Sequence, residues 1–77
     1  MALMDLQRLE EAADCFSRAV RAKPGYAEAH GNLAITYYSL GNYSDAWREA
    51  HLSEKYGKQP HPGFLAALSQ RMPEPRE

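Results

Sequence analysis

The side chains that could perform chemistry in this chain are three histidines, a single cysteine and a few carboxylates. A metal site needs ligands at matched spacing, such as two histidines one helical turn apart. His30, His51 and His61 each lack a second histidine or a cysteine at that distance. The sequence therefore predicts no metal site.

The carboxylates and the cysteine form no catalytic pattern. Acidic residues cluster near the start of the chain: Asp5, Glu10, Glu11 and Asp14. The dipole of a helix and solvation explain such a cluster better than acid–base catalysis does. Cys15 lies inside a predicted helix, where a cysteine behaves as a small hydrophobic side chain. Since the chain also lacks a nucleophile elbow and a phosphate-binding loop, we predict a non-enzymatic protein without a cofactor.

Length and composition fit one small globular domain. Hydrophobic residues make up 44% and charged residues 25% of the 77 residues, and the formal net charge is −1. This balance lacks the basic surface that nucleic-acid binding needs, and no apolar run is long enough to span a membrane. Asp5 and Glu10 interrupt the beginning of the chain, which is therefore not a signal peptide. We expect a cytoplasmic protein with no nucleic-acid partner and no membrane span.

Hydrophobic spacing predicts helices along the whole chain and no strand. We expect helices at about Leu9–Ala22, Ala27–Leu40, Tyr43–Tyr56 and Phe64–Met72. Glycine and proline separate them, since these residues end helices or fit only their first turn. The very short Gly41-Asn42 connection predicts that the helices on either side of it are adjacent and antiparallel.

Local residues also predict how these helices end and pack. Gly41 suits the left-handed residue that closes a helix, and Asn42 with Asp45 suits a helix cap. The inward faces of the second and third helices are predicted to hold Ala29, Leu33, Ala34, Tyr37, Leu40, Tyr43, Ala46, Trp47, Ala50 and Ser53. Tyr38 lies off this stripe, so we expect an exposed aromatic side chain there.

A shift of 34 residues aligns Leu6 with Leu40 and Ala12 with Ala46. The pattern of large and small residues resembles the tetratricopeptide repeat (TPR) family, whose repeat has this length. The family's characteristic positions in one full repeat are held by His30, Leu33, Ala34, Tyr37, Gly41, Tyr43, Ala46 and Ser53. An earlier half repeat matches at Leu9, Ala12, Phe16, Ala19 and Pro24.

Several positions depart from the family pattern. His30 stands where a tryptophan or another large residue is usual, and Ala50 replaces an aromatic residue. Lys58 replaces the closing proline. Gln7 stands where the family has a turn glycine, which predicts a first turn of different shape preceded by part of a helix.

The resemblance implies an all-α fold of antiparallel helix pairs stacked in a superhelix. It divides residues 1–72 into a half repeat (1–25), a full repeat (26–59) and a capping helix (62–72), followed by a disordered tail (73–77). Repeat arrays usually need about three units for stability. We therefore expect the chain to be the C-terminal part of a longer array or to complete its core by self-association.

In the family, the first helix of each repeat lines a concave surface. The resemblance places six residues there as a peptide-binding groove: Glu28, Gly31, Asn32, Ile35, Tyr38 and Ser39. This mixture of side chains suits a peptide or a helix of a partner protein. Asn32 has no positive charge beside it, so a clamp for a carboxylate is not expected.

The alternative function is structural. In that interpretation the chain self-associates or packs onto the rest of a larger TPR protein. The seam of a homo-oligomer is then predicted at Leu3, Leu6 and Leu9.

Overall fold

The computed structural model describes residues 6–75, with side chains from residue 7 onward. It contains the helices α1 (Leu6–Ala22), α2 (Ala27–Leu40), α3 (Tyr43–Lys55) and α4 (Pro62–Arg71), and these residues form no strand. The predicted all-α class is confirmed. Helix α2 packs against both α1 and α3, and α4 packs against α3.

Helix α1 differs from its prediction at its beginning. It starts at Leu6 rather than at Leu9, and Gln7 is helical although a turn was predicted there. The residues around Gln7 include no glycine or proline, so nothing in this stretch stops a helix. Cys15 is exposed on α1 instead of packing as a hydrophobic residue. The partial helix expected before Gln7 falls largely on residues 1–5, outside the described part of the chain.

The turn between α2 and α3 follows its prediction at Gly41. This glycine has a φ angle of 84° and closes α2 in the left-handed region. The N–H groups of Gly41 and Asn42 donate to carbonyls in the last turn of α2, at 3.1 and 2.8 Å. Asn42 occupies the N-cap position of α3, but its side chain makes no capping hydrogen bond. Its ψ angle of 73° is far from the extended backbone of an ordinary cap, and the predicted cap is therefore wrong.

Replacing Gly41 by alanine is expected to lower the free energy of unfolding by about 1–2 kcal/mol. Space is not the cause, because a Cβ atom here would meet no other atom within 4 Å. The cost comes from the left-handed backbone. Gly25→Ala is the matched control, since Gly25 has no positive φ angle. Chemical denaturation followed by circular dichroism measures both variants, and equal stabilities would contradict the prediction.

Small residues allow α2 and α3 to approach closely. Both helices bury alanines, and those left with almost no exposed surface are Ala29, Ala34, Ala46 and Ala50. Leu33 and Ser53 are also fully buried between the helices. Of the remaining residues of the predicted stripe, Trp47 is buried, and Tyr37, Leu40 and Tyr43 are half-buried. The predicted inward faces of α2 and α3 are thus confirmed.

Helix α4 adds a second part to the core. Its Leu68 is fully buried and forms a cluster with Ala46 and Trp47 of α3. Half-buried side chains surround this cluster: Tyr37, Tyr38, Tyr43, Phe64, Leu65 and Met72. Pro62 lies in the first turn of α4, as its fixed φ angle predicts.

Residues 73–75 belong to the predicted disordered tail but contact α3. They have no regular secondary structure. The carboxylate of Glu74 lies 2.6 Å from the ring Nε2 of His51. Just before them, the carbonyl of Met72 accepts a hydrogen bond from the indole of Trp47 at 2.8 Å. Residues 76–77 of the tail lie outside the described part of the chain.

Candidate peptide-binding groove

A cavity of about 530 Å³ lies between α2 and the segment that joins α3 to α4. We call it the α2 groove. One wall is a face of α2, and the other is formed by the joining segment with the start of α4. The lining residues are Glu28, Gly31, Asn32, Ile35, Ser53, Lys58, Gln59, Pro60, His61, Pro62 and Phe64.

The structure brings together four of the six predicted groove residues. Glu28, Gly31, Asn32 and Ile35 all line the cavity. Their spacing of three and four residues places them on one face of α2. Ser39 is exposed but does not line the cavity.

Tyr38, like Ser39, does not line the cavity. It is half-buried, and its ring lies 5.6 Å from that of Phe64 and 5.7 Å from that of Tyr43. Hydrogen bonding with the Tyr38 side chain raises the pKa of Arg71, the last residue of α4. The prediction of an exposed aromatic anchor is therefore wrong, because α4 covers this part of α2. Ile35, which is 51% exposed, is the open apolar side chain of the groove.

Sequence reasoning missed the second wall of the groove. The stretch from Lys58 to Gly63 indicated only a break between helices. In the structure, Ser53 fixes its path, because the Ser53 Oγ lies 2.7 Å from the Lys58 carbonyl oxygen and 3.0 Å from that of Ala27. One buried hydroxyl group therefore ties the joining segment to the start of α2.

Gly31 makes room for this arrangement. A Cβ atom at Gly31 would lie 3.2 Å from the hydroxyl oxygen of Ser53, closer than ordinary van der Waals contact. The absence of a side chain at Gly31 thus keeps the floor of the groove open above Ser53.

A buried ionisable pair lies between α2 and α3 and was not predicted. The Nδ1 atom of His30 is 2.6 Å from Oε1 of Glu49, and both side chains are more than nine-tenths buried. The other ring nitrogen of His30 donates to the carbonyl of Pro24 at 2.8 Å. The ring also stacks on Tyr56, with 5.7 Å between the ring centres. Both nitrogens of His30 are therefore occupied within the protein.

Two polar side chains of the groove contact backbone groups. The hydroxyl of Ser53 faces two backbone carbonyls, and Nδ1 of His61 accepts the N–H of Gly63 at 2.9 Å. The groove presents apolar surface beside the acidic side chain of Glu28 and the basic side chain of Lys58.

Residues 6–75 contain neither a cluster of potential metal ligands nor a membrane-spanning helix. No group of three or more histidine, cysteine, aspartate or glutamate side chains is placed to hold a metal ion. None of the described helices is long and apolar enough to cross a membrane.

Antiparallel helix pairs that pack through small residues define a helical repeat protein. A family model described as TPR repeat matches residues 2–46, more than half of the chain. The chain therefore belongs to the TPR family, as the resemblance predicted. TPR repeats generally mediate protein–protein interaction and are not catalytic modules. Comparisons with curated proteins and with solved structures gave no match.

Proposed function

We propose that this chain is a non-catalytic module that binds a peptide or a helix of a partner protein in the α2 groove. The observation that carries the proposal is the face of α2 from Glu28 to Ile35, which lines an open cavity rather than packing into the core. The family's general role in protein–protein interaction supports it.

The dimensions and chemistry of the groove support a peptide ligand. Its volume of about 530 Å³ lies within the range of cavities that hold ligands, roughly 300–1,000 Å³. Ile35, Pro60 and Phe64 supply apolar surface for a bulky side chain of the partner. Asn32 adds a side-chain amide for polar contacts with a bound backbone. The expected mechanism is complementarity of shape and polarity without a chemical step.

Replacing Ile35 by aspartate is expected to weaken peptide binding about tenfold or more. The change places a charge in the apolar part of the groove, and it leaves the core intact because Ile35 is 51% exposed. Peptides selected from a random display library on the wild-type chain supply the probes, and their affinities are measured by fluorescence anisotropy.

Ser39→Asp is the matched control, because it adds the same charge on the same helix outside the cavity. It is expected to leave the affinities unchanged. If the selected peptides bound Ile35→Asp as tightly as wild type, or if Ser39→Asp weakened them equally, the assignment of the groove would be wrong.

Self-association is the second candidate function. The observation that favours it lies in α1, where none of the side chains from Gln7 to Ala22 is fully buried and Leu9 and Phe16 are only half-buried. Of the predicted seam residues, Leu3 and the side chain of Leu6 lie outside the described part of the chain. Light scattering across a concentration series tests this candidate: a dimer that Leu9→Asp dissociates supports it, and a monomer at all concentrations rejects it.

We also propose that this chain is located in the cytoplasm. The proposal is supported by the exposed, unpaired thiol of Cys15, which suits a reducing compartment.

A further inference from the structure

The outer face of α3 carries a short segment of the same chain, Met72–Pro75. At Met72 the backbone is extended, with φ −154° and ψ 119°. Pro75 lines a cavity of about 370 Å³ together with residues of α3: Ser44, Trp47, Arg48, His51 and Leu52. The segment therefore lies against α3, with an extended backbone at Met72.

The buried indole N–H of Trp47 needs a hydrogen-bond acceptor on this face. The indole is 4% exposed, and its Nε1–H donates to the carbonyl of Met72 at 2.8 Å. A buried N–H group without an acceptor is unfavourable, so the face needs a carbonyl oxygen at this position. A backbone carbonyl from any extended segment meets this need.

His51 adds a second, charge-selective contact. Its Nε2–H donates to the carboxylate of Glu74 at 2.6 Å, and its ring lies 5.6 Å from the ring of Trp47. Arg48 lies at the same face, although it also contacts the carboxylates of Asp45 and Glu49 at 3.3 and 3.4 Å. An acidic side chain two residues after the residue whose carbonyl accepts from Trp47 is thus favoured over a basic one.

We infer that this face of α3, around Trp47 and His51, is a second binding surface, which accepts an extended acidic segment flanked by prolines. Residues Met72–Pro75 occupy the surface within the molecule and compete with a partner peptide of the same chemistry. The two prolines of the segment suit this role, because proline favours extended backbone and offers no N–H group that would need an acceptor. The inference is independent of the α2 groove, to which none of these residues contributes.

A peptide with the sequence of residues 70–76, QRMPEPR, is the probe for this surface. It is added to the full chain carrying Glu74→Ala and to the wild type, and the NMR signal of the Trp47 indole N–H reports binding. We expect the variant to bind the peptide about fivefold more tightly, because its own segment competes less well. Glu74 is exposed, so the substitution leaves the core unchanged.

Two controls make the result specific. Glu10→Ala removes an exposed carboxylate from α1 and is expected to bind the peptide as the wild type does. Adding His51→Ala to the Glu74→Ala chain is expected to remove the gain in affinity. The inference would be overturned if the peptide left the indole signal unchanged in every chain. It would also be overturned if the wild type and Glu74→Ala bound the peptide with equal affinity.

Discussion

Replacing Glu49 by alanine is expected to lower the free energy of unfolding by about 3–5 kcal/mol. A domain of this size has only a few kcal/mol of stability, so the variant is expected to be largely unfolded. The reason is that the substitution leaves His30 buried without its partner. We consider this the largest effect of any single polar substitution in the described part of the chain.

The hydrogen bonds around His30 explain the size of the effect. The carbonyl of Pro24 can only accept, so Nε2 of His30 must carry a hydrogen. At Nδ1, a hydrogen bond of 2.6 Å joins the ring to the carboxylate of Glu49. Without Glu49, the Nδ1 atom of the buried His30 loses its hydrogen-bond partner, and desolvation of this group is no longer compensated.

Glu49→Gln separates the loss of a partner from the loss of charge. The glutamine amide can donate to Nδ1 of a neutral His30, so this variant retains a hydrogen bond. We expect it to cost only about 1 kcal/mol. The conservative variant therefore rescues most of the stability that Glu49→Ala loses.

Glu54→Ala is the second control, because Glu54 is an exposed glutamate on the same helix. It is expected to change the free energy of unfolding by less than about 0.5 kcal/mol. Urea denaturation followed by circular dichroism measures all three variants. If Glu49→Ala were as stable as Glu54→Ala, the buried pair would not hold α2 and α3 together.

The helices of this fold could be predicted because their signals are local. Gly41 closes α2 through its own backbone angles, and Pro62 fits the first turn of α4 through its own ring. The pair of His30 and Glu49 could not be predicted in this way. The two residues are separated by 19 positions, and they meet only after α2 and α3 have packed.

The two walls of the α2 groove also differ in whether they depend on local or distant signals. Glu28 and Ile35 share a helix face by their spacing, so one wall could be predicted. The opposite wall depends on the contact between Ser53 and the carbonyl of Lys58, which no periodicity reveals. Tyr38 was assigned incorrectly because its exposure is decided by the position of α4, and this position depends on the distant cluster around Leu68.

Replacing Leu68 by alanine is expected to lower the free energy of unfolding by about 2–5 kcal/mol. Leu68 has no exposed surface and packs against Ala46 and Trp47 of α3. Its removal leaves a cavity where α4 meets α3. Because α4 contacts the rest of the described chain at few other places, we expect the loss to act mainly on α4.

Leu65→Ala is the matched control, since it makes the same chemical change on the same helix at a half-buried position. We expect it to cost about 1 kcal/mol, because less apolar surface is buried there. Trp47 fluorescence and circular dichroism, recorded during urea denaturation, follow α4 docking and total helix content separately. In Leu68→Ala the fluorescence change should come at lower urea than the main loss of helix, because α4 leaves Trp47 while α2 and α3 stay packed. Equal costs for the two leucines would show instead that α4 is not held by Leu68, and the capping role predicted for this helix would then be wrong.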